Sequence, residues 1–211
     1  MKNILMFILS VVCLFANDFD TAVEDYNKKS YIKALKTFYA LAKKGDSKAQ
    51  YNVAIMYAKG KGVKANMTEA MHWYEKAGKQ GNGAAQYNLA QMYQAKGKND
   101  PHAYEKSKYW YEKATEADVM QAYNNLAYLY LNGKGVKQNE QKAFELFQKA
   151  ANKGGAVARV NVAVLYAWGE EVIHDKMKAY ENLKKALSAG QSEASRYLDK
   201  LCDESAWVCK D

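Results

Sequence analysis

Proline, histidine and cysteine are scarce in this chain of 211 residues, which has one proline, three histidines and three cysteines. Only Pro101 is able to interrupt a helix interior, so the composition favours helices over a β fold punctuated by glycine and proline. The length alone is compatible with one domain or two. No pair among His72, His102 and His174 has the spacing of zinc ligands, and we predict no metal site and no cofactor.

A glycine-rich phosphate loop is also missing, because Gly60-Lys61-Gly62 lacks the spacing of a P-loop and its Lys-Ser/Thr ending. The formal net charge of +8 is spread through lysine-rich helix ends such as Lys43-Lys44 and Lys184-Lys185. Together with the export predicted below, this favours solubility or contact with an acidic partner over nucleic-acid binding.

Long apolar runs are confined to the N-terminal residues. Lys2 supplies a positive start, apolar residues dominate as far as Phe15, and Ala16 is a small residue before a polar pair. The run is shorter than the roughly 20 residues that a membrane-spanning helix needs. We therefore predict that residues 1–16 are a secretory signal peptide and that the mature chain is exported, without a membrane span.

Two alternatives to cleavage remain open. One is an uncleaved membrane anchor. The other is a lipoprotein modified at Cys13, which is less favoured because Val12 is larger than the residue that usually precedes a lipid-attachment cysteine.

After cleavage only Cys202 and Cys209 would remain, and two neighbouring cysteines in an exported chain predict a disulfide. Residues seven apart in one helix are separated by roughly 10 Å along its axis, which is too far for a disulfide. The last helix should therefore end soon after Cys202 and the tail should fold back. Two free thiols are the alternative.

A pattern recurs every 36 or 37 residues. Its first block, Ala-Gln-Tyr-Asn-Val-Ala-Ile-Met-Tyr, starts at Ala49, and related copies start at Ala85, Ala122, Ala158 and Ala194. A second block of the type Ala-Met-His-Trp-Tyr-Glu-Lys-Ala alternates with the first. Its copies start at Ala34, Ala70, Ser107, Ala143 and Ala179.

Each block has helical spacing: Ala49, Val53 and Tyr57 form one stripe of a helix. A helix pair cannot bury its apolar face alone, so consecutive pairs must stack. We predict an all-α fold, an α-solenoid of antiparallel helix pairs that forms a single domain over residues 17–211. The expected pairs are 18–45, 46–81, 82–118, 119–154 and 155–190, with a capping helix in 191–211.

Turn residues agree with this division. Glycine pairs at 60/62 and 133/135 should end the first helices of their pairs, and single glycines at 45, 81, 154 and 190 should end the second helices. Asn66, Asn139 and Asp175 should cap the second helices, Asn66 as part of a capping box with Glu69. The third copy departs, since Asp100-Pro101 predicts that its second helix starts about a turn early.

The segments Tyr57–Val63 and Tyr130–Val136, together with Trp73–Ala77, resemble the Sel1-like repeat family, whereas residues 19–45 resemble a generic tetratricopeptide pair. The resemblance implies a curved α-solenoid that binds a protein or peptide as an adaptor, often in the bacterial envelope. We therefore expect a periplasmic or secreted protein with a protein or peptide partner. The sequence leaves the partner's identity and the oligomeric state open.

The recurring asparagine is the most informative position. In related tetratricopeptide repeats the matching residue lines the concave groove and hydrogen-bonds peptide backbone, and side-chain amides can both donate and accept. The ligand-binding residues that this implies are Asn52, Asn88, Asn125 and Asn161, flanked by Lys48, Tyr51, Tyr87, Gln91, Asn124 and Tyr128. Alternatively, each asparagine ties one repeat's backbone to the next.

The tryptophans divide into two groups. Trp73 and Trp110 each lie one residue before a core tyrosine, which favours packing between repeats over a role as ligand platforms. Trp168 is predicted to lie in a loop, at a position where other copies have a small or polar residue.

An enzymatic reading comes from a cysteine-rich branch of Sel1-repeat proteins described as penicillin-binding or β-lactamase-like. Ser30-Tyr-Ile-Lys33 matches Ser-x-x-Lys, but the Ser-Asp-Asn and Lys-Thr-Gly motifs are absent, and Ser30 fits an N-cap better. That branch has cysteine pairs where this chain has Gly78/Gln86, Thr115/Tyr123 and Ala151/Arg159. We predict no catalytic residue and a non-catalytic scaffold, with a weak β-lactam hydrolase and a purely structural envelope protein as alternatives.

Overall fold

A computed structural model describes residues 18–209, so the predicted signal peptide lies outside the described residues. The described part contains eleven α-helices and no strand. The helices are α1 (18–27), α2 (Tyr31–Lys43), α3 (Ser47–Lys59), α4 (Met67–Lys79), α5 (Gly83–Lys96), α6 (His102–Glu116), α7 (Met120–Leu131), α8 (Glu140–Asn152), α9 (Ala156–Trp168), α10 (Lys176–Ser188) and α11 (Glu193–Glu204). A 3-10 turn, Ala206–Cys209, follows α11.

The predicted fold class is confirmed: the chain is an all-α solenoid of helix pairs, with α11 as a cap. Two compact units divide between Leu89 and Ala90, within α5. In the first unit α3 packs on both α2 and α4, and in the second unit each helix from α6 to α11 packs on the next. The single domain over 17–211 stays a prediction.

Small residues line the helix contacts. Ala54, Ala127 and Ala163, which occupy the same position of the first block, have no exposed surface, so neighbouring helices approach closely there. Trp73 is 4% exposed, and its ring packs edge-on against Tyr39 of the preceding pair at 5.4 Å between centroids. Aromatic rings therefore fill the space between pairs, as expected for Trp73.

The Gly60-Lys61-Gly62 turn holds its helix pair onto the second helix of the preceding pair. Gly62 has a φ of +73°, and a Cβ there would lie 2.5 Å from the Tyr31 carbonyl oxygen. The Lys61 ammonium lies 4.8 Å from the centre of the Tyr31 ring. Only glycine combines a left-handed conformation with this close approach, so the turn requires it.

The second unit repeats this turn. Gly135 has a φ of +68°, and its Cβ would lie 2.5 Å from the Tyr104 carbonyl carbon. Lys134 sits over the Tyr104 ring at 5.6 Å from its centre.

The predicted N-caps are confirmed. Asn66 accepts from the Thr68 and Glu69 amides, and Asn139 and Asp175 each accept one amide of their own first turn. The predicted capping box at Asn66 is wrong in its second hydrogen bond. The Asn66 backbone N–H donates to the Tyr57 backbone carbonyl at 3.0 Å rather than to the Glu69 side chain. The corresponding bond recurs from Asn139 to Tyr130 and from Asp175 to Tyr166, and ties each cap to the end of the preceding helix.

The second helix of the third copy starts early, but by two residues rather than a turn: α6 begins at His102, five residues before Ser107, whereas α4 begins at Met67, three residues before Ala70. Pro101, not Asp100, occupies the N-cap position. The Asp100 carboxylate accepts the His102 amide at 3.1 Å, and Pro101 has helical dihedrals of −54° and −30°. Gly97 packs against the Tyr104 ring, where a Cβ would lie 2.6 Å from a ring carbon. This contact occupies the place of the paired glycines in the other turns.

The C-terminal cap folds back on itself. Helix α11 ends at Glu204, and Cys202 and Cys209 form a disulfide with 5.7 Å between their Cα atoms. The bridge holds Val208, 3% exposed, in the apolar cluster that contains Leu183 and Leu201. Residue 209 therefore reaches residue 202 because the chain leaves the helix between them.

The prediction that Trp168 lies in a loop is wrong, because Trp168 is the last residue of α9. Its indole nitrogen donates to the Glu204 carboxylate at 2.7 Å, and the Lys200 ammonium lies 4.4 Å from its ring centre. The large ring is used to hold α11, the terminal cap.

Candidate binding surface

All ten residues predicted to bind a ligand lie on first helices of their pairs, and none is buried. In the first unit, Lys48, Tyr51 and Asn52 lie on α3 and Tyr87 and Asn88 on α5. In the second unit, Gln91 lies on α5, Asn124, Asn125 and Tyr128 lie on α7, and Asn161 lies on α9. We name these residues the first-helix face of each unit.

In the first unit Asn88 contacts the preceding helix. Its side-chain amide donates to the Tyr74 hydroxyl at 3.3 Å. Tyr74 is 4% exposed, and burial raises its pKa to about 12, while the hydrogen bond from Asn88 acts in the opposite direction. The hydroxyl is therefore neutral at physiological pH.

The same contact recurs in the second unit and is extended there. The Asn125 side-chain amide donates to the Tyr111 hydroxyl at 3.1 Å, and that hydroxyl donates to the Gln94 side-chain carbonyl at 2.5 Å. The fully buried Tyr111 is thus satisfied from both sides, and the three residues connect α5, α6 and α7.

The asparagines of the other two copies bond differently. The Asn52 amide donates to the Lys48 carbonyl in its own helix at 2.9 Å. Asn161 donates to the Asn124 side-chain carbonyl at 3.2 Å and accepts from the Tyr128 hydroxyl at 3.0 Å. Burial raises the pKa of Tyr128, and its hydrogen bond to Asn161 opposes that shift.

The residue fourteen positions upstream decides between these arrangements. Asn88 and Asn125 follow Tyr74 and Tyr111 at that distance, whereas Asn52 and Asn161 follow Phe38 and Phe147, which have no hydroxyl. Where a tyrosine precedes, its hydroxyl accepts the side-chain amide. Where a phenylalanine precedes, the amide bonds within its own helix at Asn52 and to the preceding first helix at Asn161. Three of the four asparagines therefore bond to another helix, and ligand binding by these residues stays a prediction.

Three further polar side chains tie consecutive pairs together, and the sequence reasoning missed their role. Gln50 donates to the Ala42 carbonyl at 3.1 Å, and Gln86 donates to the Gly78 carbonyl at 2.8 Å. In the second unit, Tyr123 donates to the Thr115 carbonyl at 2.9 Å. The constant separation of eight residues was the available signal. Gly78/Gln86 and Thr115/Tyr123 are therefore joined by hydrogen bonds.

The side chains of Ser30 and Lys33 do not form a hydrogen bond with each other. Ser30 precedes α2 but makes no side-chain capping bond, and the Lys33 ammonium pairs with the Asp25 carboxylate at 3.1 Å. Within residues 18–209 no three histidine, cysteine, aspartate or glutamate side chains are placed to hold a metal ion. In the same range, no helix has both the length and the apolar character needed to cross a membrane.

The helix pairs, their Gly-Lys-Gly turns and the first-helix asparagines define a repeat scaffold of the tetratricopeptide-like class. The Sel1 repeat matches four times, over residues 47–82, 83–119, 121–155 and 156–191. The chain therefore belongs to the Sel1 repeat family.

Solved structures show the same fold. The chain is similar to c5321, a protective antigen of uropathogenic Escherichia coli with an SLR fold, at 24% identity and a TM-score of 0.82, covering 91% of this chain and 42% of that one. A Sel1 repeat protein from Oxalobacter formigenes has 28% identity and a TM-score of 0.76, with coverage of 88% and 73%. This chain thus spans less than half the length of the Escherichia coli protein. No protein with curated annotation matches it.

Proposed function

We propose that the protein is a non-catalytic scaffold whose first-helix face binds a peptide or protein segment. The observation that carries this proposal is the polar cluster of Asn124, Tyr128 and Asn161 in the second unit. Its side chains come from two successive first helices and are only partly buried. An extended peptide presents amides and carbonyls along its length, and asparagine side chains can pair with both.

Rigidity supports this role. Mutual hydrogen bonds fix the three side chains before any ligand arrives, so binding would lose little side-chain entropy. The Tyr128 ring is held against Phe147, edge-on at 5.1 Å between centroids. A tyrosine that is apolar at its ring and polar at its tip suits a recognition surface.

Export to a periplasmic or extracellular compartment is part of the proposal. Its supports are the apolar N-terminal segment and the disulfide between Cys202 and Cys209, because disulfides persist in oxidising compartments. N-terminal sequencing of protein recovered from cell envelope and culture supernatant tests it. A mature chain that starts at Asn17 is the expected result, and recovery of the intact chain from the cytoplasm would contradict it.

Site-specific crosslinking tests the binding face directly. A photo-reactive phenylalanine replaces Gln91 on the first-helix face, and in a matched control it replaces Tyr109, which is 51% exposed on the second helix α6. We expect one discrete partner segment at position 91 and none at position 109. Equal crosslinking at both positions would contradict the proposal.

The captured segment, prepared as a synthetic peptide, then provides a quantitative test by calorimetry. Changing Asn124 and Asn161 together to alanine should weaken its binding about tenfold or more, given two or more hydrogen bonds lost. Asn182→Ala is the control, because that amide donates to the Lys178 carbonyl within the second helix α10. Unchanged affinity in the double variant, with an unchanged circular dichroism spectrum, would refute binding by these residues.

A further inference from the structure

An open groove of about 700 Å³ lies at the start of α2 in the first unit. Lys29, Ile32, Lys33 and Lys36 line it from one side, and Gly62 of the next turn lines it from the other. We call it the α2 groove. None of the ten residues of the first-helix face lines it, so it is a separate surface.

The charge around the α2 groove is predominantly positive, although the Asp25 carboxylate pairs with Lys33. Residues 28–64 contain ten lysines and a single acidic residue, Asp46. The Asp46 carboxylate is already used, since it accepts the Ala49 amide as the N-cap of α3 at 2.7 Å. A surface with this excess of positive charge attracts carboxylates and repels basic partners.

The lysines of the groove are available to a partner. Lys33 pairs with Asp25, yet 69% of its side chain remains exposed. Neither Lys29 nor Lys36 forms an ion pair with any residue of the described range 18–209, and both are exposed. Three lysines, at positions 29, 33 and 36, therefore line one opening, and two of them have no ion-pair partner among residues 18–209.

Apolar side chains also line the α2 groove. Ile32 is 77% exposed and lies in sequence between two of these lysines. Tyr31 lines the groove beside it, its ring covered by the Lys61 ammonium at 4.8 Å. Isolated exposed apolar residues are common on protein surfaces, but this one is placed inside a concave site with a cationic rim, which provides an apolar contact next to charge.

We propose that the α2 groove binds an acidic peptide segment that contains an apolar side chain. The carboxylates of that segment pair with Lys29, Lys33 and Lys36, and its apolar side chain packs on Ile32. Charge complementarity selects this partner over a basic one, and the apolar contact selects it over a uniformly charged polyanion. This second surface operates independently of the first-helix face.

Fluorescence anisotropy with labelled synthetic peptides tests the proposal on the purified protein. One short peptide alternates glutamate with a central leucine, a second has serine in place of the leucine, and a third has lysine in place of the glutamates. We expect binding of the first, binding weaker by about fivefold to tenfold for the second, and none for the third. Raising the salt from about 50 mM to about 500 mM should weaken the first complex markedly.

Charge-reversal variants locate the site. Lys29→Glu with Lys36→Glu should weaken binding of the leucine peptide about tenfold or more. The matched control, Lys98→Glu with Lys149→Glu, changes the net charge equally at exposed lysines of the second unit and should alter the affinity less than about twofold. Equal losses in both variants would show a response to net charge alone and would overturn the proposal.

A double-mutant cycle tests the apolar contact. Ile32→Ser, at a largely exposed position, should reduce the affinity for the leucine peptide to that for the serine peptide, and should leave the serine peptide unaffected. Additive losses in the cycle would overturn the contact between Ile32 and leucine.

Other occupants are distinguished with the same variants. Phosphatidylglycerol vesicles, a single-stranded oligonucleotide and a second copy of the chain are compared in sedimentation and light-scattering experiments. Binding of any of these through Lys29 and Lys36, without binding of the acidic leucine peptide, would overturn the proposed partner. The Asn124→Ala/Asn161→Ala variant should bind the leucine peptide normally, so failure of the first-helix face and failure of the α2 groove are separate outcomes.

Discussion

Asn125 donates its side-chain amide to the Tyr111 hydroxyl across 3.1 Å, from a position fourteen residues further along the chain. Asn88 and Tyr74 repeat that relationship in the first unit. The asparagine thus holds consecutive helices together where a tyrosine precedes it. Where a phenylalanine precedes it, Asn52 bonds within its own helix and Asn161 bonds to side chains of the preceding first helix.

Tyr111→Phe should lower the free energy of unfolding by about 1 to 2 kcal/mol, because it removes the hydroxyl that hydrogen-bonds the side-chain amide of Asn125 and the side-chain carbonyl of Gln94. Urea unfolding followed by circular dichroism measures the effect. Tyr109→Phe, which removes a hydroxyl from a half-exposed ring, is the control and should change stability little. Equal effects of the two variants would show that the hydroxyl of Tyr111 does not stabilise the stack.

Gly135→Ala should destabilise the protein by about 3 kcal/mol or more, from the left-handed backbone and from the forced shift of Tyr104. Gly154→Ala is a matched control, because its φ is +92° but nothing lies within 4 Å of the added Cβ. We expect about 1 kcal/mol for the control. Similar losses of unfolding free energy in the two urea titrations would mean that the close contact between residue 135 and Tyr104 adds nothing to the effect of the left-handed backbone.

Tyr74 should make stability sensitive to alkaline pH. Its pKa of about 12 in the folded chain exceeds the value of about 10 expected when unfolded, so the folded state retains the proton longer. The stabilisation is complete below pH 10 and is lost as the pH rises from 10 to 12, by at most about 3 kcal/mol. Unfolding free energies of the wild type and Tyr74→Phe, compared across this range, should converge as the pH rises.

The exposed Tyr109→Phe provides the reference for that titration. Its stability should fall in parallel with the wild type at every pH, because Tyr74 is retained. A constant difference between the wild type and Tyr74→Phe from pH 9 to pH 12 would contradict the expected role of this buried hydroxyl.

Replacing Cys202 and Cys209 by serine should reduce stability by about 2.5 kcal/mol, the loop-closure term for a short bridge. Because Val208 is held in the terminal apolar cluster, the loss should be concentrated in α10 and α11. Hydrogen exchange by mass spectrometry measures where protection falls. The wild type in reductant should match the double variant, and exchange that rises equally in the first unit would contradict a local effect.

Local sequence patterns were sufficient to predict the repeat, its period and the class of fold. Alanine stripes, glycine turns and asparagine caps act through neighbours a few residues away, so local physical chemistry was sufficient to predict helices and most of their ends. Asp46 and Asn82 cap their helices as well, although only the glycines before them, as helix ends, entered the prediction. The family resemblance rested on the same local motifs.

The contacts of the recurring polar side chains depend instead on how the helices stack. The partners of Asn88, Asn125 and Asn161 lie on other helices, and whether an amide meets a hydroxyl depends on a residue fourteen or more positions away. The same is true of Trp168, which the sequence placed in a loop and which instead holds the Glu204 carboxylate of α11. The α2 groove likewise forms only when the turn at Gly62 packs against Tyr31, because stacking, rather than helix formation, brings separate segments to one surface.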